Sequence, residues 1–453
     1  MVQEVGKEMI RKCLLTKAIL LSALMWTCTV AQPLATRAQQ AQDQTTAKPT
    51  YTIPEYNAFQ AANAEKDSQA RLKLLDDFVA KFPNSTLNQY VYQLYIKTYT
   101  ELKNYPKAVE YADKLSALGD KADVTQRLQA LVQRCQVFPY AFNAKAPDAA
   151  DQLNKERSAA QEGIKLLTAL PKSDPKMTDA QFEEQKKPAL ALFQNAAGFA
   201  CSQLKDYQCA ITAFKTVLSL TPTDAAASYR MGVAYLEMKP PQALDGFWAL
   251  GRAINLKIPD SDKIKDYLRR QILAYEQPGC DSLADAQLNE LLQLSANSPD
   301  RPATYTIPSA DDLNKIRTSS NILTVLADLK AGGDKAKMTW LALCGAEFPE
   351  VVGKLIDITP GTDSVQLKLY TGATPEEIQA ATTANLDVKV VGQPEASRLE
   401  KEQGVRFSGT LVGYDPDPNF MLHWDKAKVN SEDIPTERGG AKKPVHKPAA
   451  KKN

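Results

Sequence analysis

Residues 192–222 read LFQNAAGFACSQLKDYQCAITAFKTVLSLTP, and this stretch is the starting point for predicting the fold. Apolar residues recur at helical spacing up to Cys201, which predicts an amphipathic helix. A short turn follows Leu204, and a second helical pattern runs from Ala210 until Pro222, a residue that cannot continue a helix. The stretch therefore predicts two antiparallel helices joined by a tight turn.

The same scheme recurs in the next segment of the chain. Gly232 lies 34 positions after Gly198 (232 − 198), and two-helix units with this period are the sequence signature of a helical repeat. Small residues such as Gly198 and Ala210 let paired helices approach closely, whereas Phe214 and Tyr235 fill the space between neighbouring helices. The residues that carry the pattern are Gly198, Ala210, Phe214, Pro222, Gly232, Tyr235, Gly246, Leu250, Ala253 and Pro259.

Residues 191–259 resemble the tetratricopeptide-repeat (TPR) family, and weaker signals of the same kind precede them. The ending Phe82 to Ser85 (FPNS) looks like the TPR units of bacterial envelope assembly proteins. The resemblance implies a mostly α fold, in which a TPR helical-hairpin solenoid occupies residues 51–259. Further helices over residues 260–345 are expected to extend or cap the array, because stacking must end on a polar face.

The pattern changes to strands after Phe348. Three segments with strand character, a short helix over residues 395–403 and two further strands predict a small β-barrel at residues 348–436. Their order is that of an OB-fold, although other small barrels share such a pattern. The predicted strands are Val352–Ile358, Val365–Tyr370, Leu386–Val391, Val405–Tyr414 and Phe420–Val429.

The two ends of the sequence read as processing and tail segments. Basic residues followed by the apolar stretch 18–31 predict a cleavable signal peptide at residues 1–38, because that stretch is short for a membrane span of about 20 residues. An uncleaved anchor is the alternative. Residues 39–50 and the Lys/Pro/Ala-rich residues 437–453 are predicted to be disordered. The protein is therefore expected in the periplasm, in the cell envelope or outside the cell.

The cysteines leave one question open. Cys201 and Cys209 could bridge neighbouring helices in an oxidising compartment, or both could be buried as small apolar residues. The other cysteines outside the signal peptide are Cys135, Cys280 and Cys344, and no pair among the five has the close spacing of a zinc site. The sequence predicts no bound metal.

Residues that carry catalysis are not evident. Only two histidines are present, His423 on the last predicted strand and His446 in the tail, and the sequence marks no nucleophile beside either. The doublet Gly332–Gly333 is isolated and is not a phosphate-binding loop. We therefore predict a protein that is not an enzyme and has no cofactor; an enzyme of unrecognised type is the third alternative.

The TPR resemblance implies that a protein or extended peptide binds in a groove lined by the first helix of each hairpin. The candidate groove residues are Asn88, Gln89, Tyr90, Gln93, Asn195 and Arg230. For each of them, an ordinary solvated helix face is the alternative. The basic tail could also contact anionic envelope components weakly.

The barrel raises a second functional hypothesis, the binding of single-stranded nucleic acid or polysaccharide. Basic and aromatic residues occur together on its predicted strands, as such a surface requires. They are Lys354, Lys368, Lys389, Arg406, Tyr370, Phe407, Tyr414, Phe420 and Trp424. A formal net charge of +2 gives no global attraction to nucleic acid, and we expect no nucleic-acid partner for an exported protein.

Overall fold

A computed structural model describes residues 50–172, 174–277 and 280–436. The predicted signal peptide, nearly all of the predicted linker and the basic tail lie outside these residues. The helices that precede the strands are α1 (Ile53–Ala64), α2 (Ser68–Lys81), α3 (Asn88–Glu101), α4 (Tyr105–Ser116), α5 (Val124–Ala141), α6 (Ala149–Ala169), α7 (Asp179–Gln203), α8 (Tyr207–Leu220), α9 (Ala225–Glu237), α10 (Ala243–Asn255), α11 (Ser261–Glu276), α12 (Asp281–Asn297), α13 (Ala310–Ser319), α14 (Ile322–Ala331) and α15 (Gly333–Leu343).

The remaining elements form the C-terminal barrel. They are β1 (Glu347–Pro360), β2 (Ser364–Tyr370), α16 (Pro375–Ala380), β3 (Leu386–Val391), a 3₁₀ helix (Pro394–Arg398), β4 (Gly404–Asp415) and β5 (Met421–Val429). The fold class predicted from the sequence, a helical-hairpin array followed by a small barrel, is confirmed. Among the described helices, none combines the length and the apolarity that a membrane span would need.

Hairpins α3–α4 and α7–α8 turn in the same way. Lys103 and Lys205 adopt left-handed backbone conformations with φ of 56° and 62°, which end α3 and α7. The next residues, Asn104 and Asp206, cap the second helices, since their side chains accept hydrogen bonds from backbone N–H groups in the first turns. Two residues therefore reverse the chain direction in each hairpin.

Glycines allow the paired helices to approach closely. A methyl group added at Gly198 of α7 would lie 2.7 Å from the ring of Phe214 on α8. In the next hairpin, a methyl group at Gly232 would lie 3.0 Å from the backbone oxygen of Gly246, and one at Gly246 would lie 3.1 Å from the oxygen of Gly232. Both distances are shorter than ordinary van der Waals contacts. The helices can therefore pack at this distance only where the side chain is a hydrogen atom.

The other repeat residues fill the spaces around these contacts. Ala210, Phe214, Leu250 and Ala253 are fully buried, and Tyr235 is nearly so. Cys201, Phe214 and Tyr235 belong to one of several separate apolar clusters that lie along the array. A core divided among neighbouring repeats is expected when each hairpin packs mainly on the next one.

The two prolines of the repeat pattern differ in position. Pro222 directly follows Thr221, the C-cap of α8, as the sequence predicts. Pro259 does not end α10, because that helix already stops at Asn255. Lys257 ends the helix instead, since its backbone is left-handed with φ of 59°. The N–H of Ile258 then donates a hydrogen bond to the carbonyl of Ala253.

The chain forms two compact units. The first comprises the described residues up to Arg269 together with Leu288–Thr306, and the second comprises Arg270–Gln287 and the described residues from Ile307 onward. The boundaries fall inside α11 and α12, so each of these helices contributes to both units.

The five strands close into a barrel in the order β1-β2-β3-β5-β4. All neighbours are antiparallel except β3 and β5, which run parallel. Alternate residues of β2 (Val365, Leu367 and Leu369) are buried, as expected for a strand with one face on the core. Trp424 of β5 and Phe407 of β4 pack edge to face at 5.5 Å between ring centroids in the middle of this core.

Two short helices in the barrel differ from the sequence prediction. The helix predicted over residues 395–403 is only the 3₁₀ helix Pro394–Arg398, because the N–H of Leu399 already bonds back to Ala396 and the chain then extends. Helix α16 between β2 and β3 is absent from the predicted strand order, although Glu376 and Glu377 suit the first turn of a helix. Thr374 caps it and Pro375 occupies its first turn, which are ordinary helix-start signals.

We predict that Gly198→Ala destabilises the protein by about 1–2 kcal/mol, although alanine favours helices, because the added methyl group overlaps the Phe214 ring. Urea unfolding followed by circular dichroism measures the change in the free energy of unfolding. Phe214→Leu makes room for the methyl group, so the double variant should lose less than the sum of the two single losses. Additive losses would contradict the packing described here.

Candidate interaction surfaces

The four candidate groove residues on α3 all make contacts within the protein. Asn88 is only 4% exposed, and its side-chain amide donates to the carbonyl of Pro83 at 2.8 Å. Because its side chain is engaged below the surface, Asn88 does not line a groove. Gln89 accepts from the N–H of Asp123 at 2.8 Å, and Gln93 donates to the carbonyl of Gln126 at 2.9 Å.

The hydroxyl of Tyr90 adds a third tie, since it lies 3.3 Å from a carboxylate oxygen of Asp123. Its ring also packs on Phe59 of α1, with 6.1 Å between centroids. Tyr90 therefore contacts α1 on one side and the start of α5 on the other, and these three are the first helices of successive hairpins.

The two candidates farther along the array pair with each other. Arg230 on α9 donates to the amide oxygen of Asn195 on α7 at 3.2 Å. These positions are separated by 35 residues, and Gln89 and Asp123 are separated by 34. Polar side chains one repeat apart thus join one first helix to the next. Five of the six candidates are consequently lateral ties of the array, whereas Asn88 bonds to the loop before α3. The sequence signal that could have shown the ties is polar pairs at the repeat spacing.

We call the surface formed by the first helices of the hairpins (α1, α3, α5, α7 and α9) the first-helix surface. Part of it is exposed to solvent. On α3, Lys97 is one turn beyond Gln93 on the same face, and its side chain is 53% exposed. On α5, Val124 is 40% exposed. The surface therefore presents amide, ammonium and small apolar groups to a partner. The helices that carry these groups are already fixed to each other.

A buried charge cluster lies inside the array at α4, α5 and α6. Arg134 is 1% exposed, and its guanidinium binds Asp113 at 2.6 Å and the buried carboxyl group of Glu156. Burial raises the pKa of Glu156 to about 7, although Arg134 opposes the shift. Burial likewise raises the pKa of the Cys135 thiol, so this cysteine is unreactive.

The basic residues expected to form a nucleic-acid face on the barrel are mostly engaged. Lys354 is 6% exposed and donates to two carbonyl oxygens at the end of α16 and in the residue after it. Lys368 pairs with Asp387 at 3.0 Å, and Arg406 pairs with Asp433 at 2.8 Å. Only Lys389, which is exposed, forms no hydrogen bond or ion pair among the described residues.

Three of the five aromatic residues proposed for that face also lie elsewhere. Phe407 and Trp424 are in the barrel core, where stacking on a base is impossible. Tyr414 packs edge to face on Trp340 of α15 at 5.3 Å between centroids. The sequence pattern placed these residues on one binding face. It could not show that they face the core or another helix, because strand sequence alone does not reveal which side chain each residue contacts.

His423 is held by two carboxylates that the sequence did not reveal. Its Nδ1 lies 3.3 Å from Asp387 on β3, and its Nε2 lies 2.9 Å from Asp415 at the end of β4. Both ring nitrogens are therefore occupied, and the geometry leaves neither for a substrate. His423 is therefore a half-buried strand residue, and its partners were missed because the barrel closure brings them together.

The cysteine question is resolved by two disulfides. Cys201 and Cys209 join α7 to α8 across the hairpin turn, and Cys280 and Cys344 join the start of α12 to the end of α15. Cys135 is free and buried. Among the described residues, one cluster has metal-ligand proximity, Cys201, Asp206 and Cys209. Its two sulfur atoms are bonded to each other, so it does not bind a metal in this state.

Two solved structures of TPR proteins are similar to this chain. A thermophilic TPR protein of Thermus thermophilus is 16% identical, with 48% of this chain and 99% of that chain covered and a TM-score of 0.26. The C-terminal part of a TPR repeat-containing protein from Cytophaga hutchinsonii is 15% identical, with 53% and 91% covered and a TM-score of 0.23. No family model and no curated protein sequence matches the chain. The repeat assignment rests on the 34-residue period and the helix packing described above.

We predict that the stability of the protein falls by about 1–2 kcal/mol between pH 5.5 and pH 8 through Glu156. A carboxyl group whose pKa is raised by folding holds a proton in the native state that the unfolded state has lost, so stability decreases as the pH rises toward about 7. Urea unfolding at several pH values measures this slope, and Glu156→Gln should remove it.

Glu110→Gln is the matched control for this pH dependence. The lysines beside Glu110 lower its pKa, so this exposed carboxylate stays ionised over the whole range and its replacement should leave the slope unchanged. Equal slopes in the wild type and in Glu156→Gln would show that the buried carboxyl group does not titrate here.

We also predict that the two disulfides stabilise the protein unequally. Cys280 and Cys344 are 64 residues apart and Cys201 and Cys209 only 8, so chain entropy assigns about 4 kcal/mol to the first bond and about 2.5 kcal/mol to the second. Paired Cys→Ser variants, unfolded in urea without reductant, measure both losses. A larger loss for the Cys201–Cys209 pair would contradict the entropic account.

Proposed function

We propose that this protein is an exported, non-catalytic scaffold whose helical array holds a partner protein or an extended peptide on the first-helix surface. The observation that carries the proposal is the set of lateral ties at the repeat spacing, such as Gln89 to Asp123 and Arg230 to Asn195. They fix neighbouring helices in register before a partner arrives. A preformed surface loses little conformational entropy on binding, which favours affinity.

The exposed groups on this surface suit a polypeptide ligand. Lys97 offers an ammonium donor, and small apolar residues such as Val124 offer contact area to side chains. Backbone carbonyl groups of an extended peptide accept from such donors, and alternate side chains of the peptide pack on the apolar parts.

Two features support export to an oxidising compartment. The first is the basic and apolar sequence pattern at residues 1–38. The second is that four of the five cysteines outside that segment form disulfides, which persist in the periplasm or outside the cell and are rare in the cytosol. The proposal places the protein in the cell envelope, where the Lys-rich residues 437–453 can contact anionic components.

The proposal includes no catalytic role. His423, the one histidine in the described part of the chain, is tied on both ring nitrogens by Asp387 and Asp415. The buried thiol of Cys135 has a raised pKa, the opposite of what a nucleophile needs.

Site-specific photocrosslinking in the native envelope tests the proposal. A benzophenone amino acid at Lys97, on the first-helix surface, should yield a discrete adduct with one protein. The same group at Lys165, an exposed residue of α6, which is the second helix of its hairpin, is the matched control and should not yield that adduct. A third position, Lys389 on the barrel, tests the competing hypothesis.

The outcomes separate the two hypotheses. An adduct from Lys389 without one from Lys97 would assign partner binding to the barrel and contradict the array proposal. Recovery of the protein in the cytosolic fraction with reduced Cys201 and Cys280 would contradict export independently of where the partner binds.

A further inference from the structure

Helix α14 carries two apolar faces, although a surface helix needs only one. Val325 and Leu329 form the first face and are completely buried in the core of the second compact unit. The second face is a stripe of residues at positions i, i+3, i+4 and i+7, which lie on one side of an α-helix. The stripe consists of Leu323, Leu326, Ala327 and Lys330.

The stripe forms one wall of a cavity of about 630 Å³ at the end of the barrel. The other walls come from the end of β2, the segment before β3 and the β4–β5 loop. Tyr370, Phe420 and Met421 supply apolar surface there, opposite the leucines of α14. Cavities of about 300–1,000 Å³ with mostly apolar walls are typical of small-molecule sites.

Hydrogen bonds order the connection between β2 and β3, which lines the cavity. The side chain of Asn385 accepts from the N–H of Thr371 at 2.9 Å and donates to the carbonyl of the same residue at 2.7 Å. In the same connection between β2 and β3, Glu377 accepts from the N–H of Ala373 at 2.9 Å. These bonds fix the backbone of the connection, so the cavity is built by the fold and keeps its shape.

Two charged residues line the cavity. Lys330 lies one turn beyond the leucines on the stripe, it is exposed, and it forms no hydrogen bond or ion pair among the described residues. Asp417 lies in the β4–β5 loop and is also exposed. A lysine without an ion-pair partner at the end of an apolar stripe matches a ligand that joins an apolar body to an anion.

We propose that this cavity binds an amphipathic anion, whose alkyl or aryl body packs on Leu323, Leu326 and Phe420 and whose carboxylate, sulfonate or phosphate binds Lys330. The leucine side chains lose their contact with water in the complex, which supplies the main driving force. The ammonium group of Lys330 then selects anions over cations. This site is separate from the first-helix surface and does not depend on the function proposed for it.

Isothermal titration of the full-length protein with dodecanoate, below its micelle concentration, tests the proposal. We expect one molecule to bind, and dodecyltrimethylammonium, which has the same chain and the opposite charge, to bind at least about tenfold more weakly. Leu323→Ser should weaken dodecanoate binding by about five- to twentyfold, because it removes apolar contact area.

The charge variants make the test specific. Lys330→Met keeps most of the side-chain volume and should weaken dodecanoate binding about three- to tenfold. Lys335→Met is the matched control, because Lys335 follows on α15, pairs with Asp328 and does not line the cavity; it should leave the affinity unchanged. Asp417→Asn should strengthen binding, since it removes a repulsive charge. Circular dichroism melting curves verify that each variant is folded.

The result that would overturn the proposal is equal affinity for the two surfactants, no response to Lys330→Met or no binding at all. The anion could come from an acyl lipid or from the carboxyl terminus of a peptide. Titration with acetyl-Leu-Phe carrying a free carboxylate distinguishes these sources, since tighter binding of the dipeptide than of dodecanoate assigns the cavity to a peptide terminus.

Discussion

The array depends on the close approach of two helices at positions that cannot carry a side chain. At Gly232 and Gly246, each glycine would place an added methyl group about 3 Å from the backbone oxygen of the other. Helix separation in the α9–α10 hairpin is therefore set by backbone contact, and dispersion forces between closely packed atoms are lost steeply when that distance increases. Neighbouring side chains such as Phe214 and Leu250 have one well-defined space to fill.

The lateral ties follow from this packing. Where hairpins turn in the same way, as α3–α4 and α7–α8 do, residues of the first helix meet the next first helix 33–35 residues later. Polar pairs such as Gln93 with Gln126 can then form repeatedly along the surface. The regular hairpin geometry therefore positions the polar surface to which we assign partner binding.

The sequence predicted the features that are periodic. Gly198 and Gly232 reveal the repeat because one period separates them, and alternation along β2 reveals a strand because its buried residues are every second one. Features that depend on three-dimensional register were not predicted. The hydrogen-bond partners of Gln89 and Arg230 are such features. They can be identified only when the relative alignment of two neighbouring helices is known.

The barrel shows the same limit. Residue types on its strands suggested a nucleic-acid-binding face. Strand sequence alone does not show that Lys368 on β2 pairs with Asp387 on β3, or that Trp424 lies in the barrel core. His423 has carboxylates on both sides only because β5 lies between β3 and β4. The choice between a bridge and burial for Cys201 and Cys209 likewise required the angle at which α7 and α8 meet.

Amide hydrogen exchange of the full-length protein tests the central claim most directly, because it reports the stability of each helix separately. If the close contacts at the glycines hold the helices of α7 to α10 together, amides in the middle of these helices, near Gly198 and Gly232, should exchange at least about 10³-fold more slowly than in an unfolded chain. Exchange in these four helices as fast as in the exposed turns between hairpins would contradict the account.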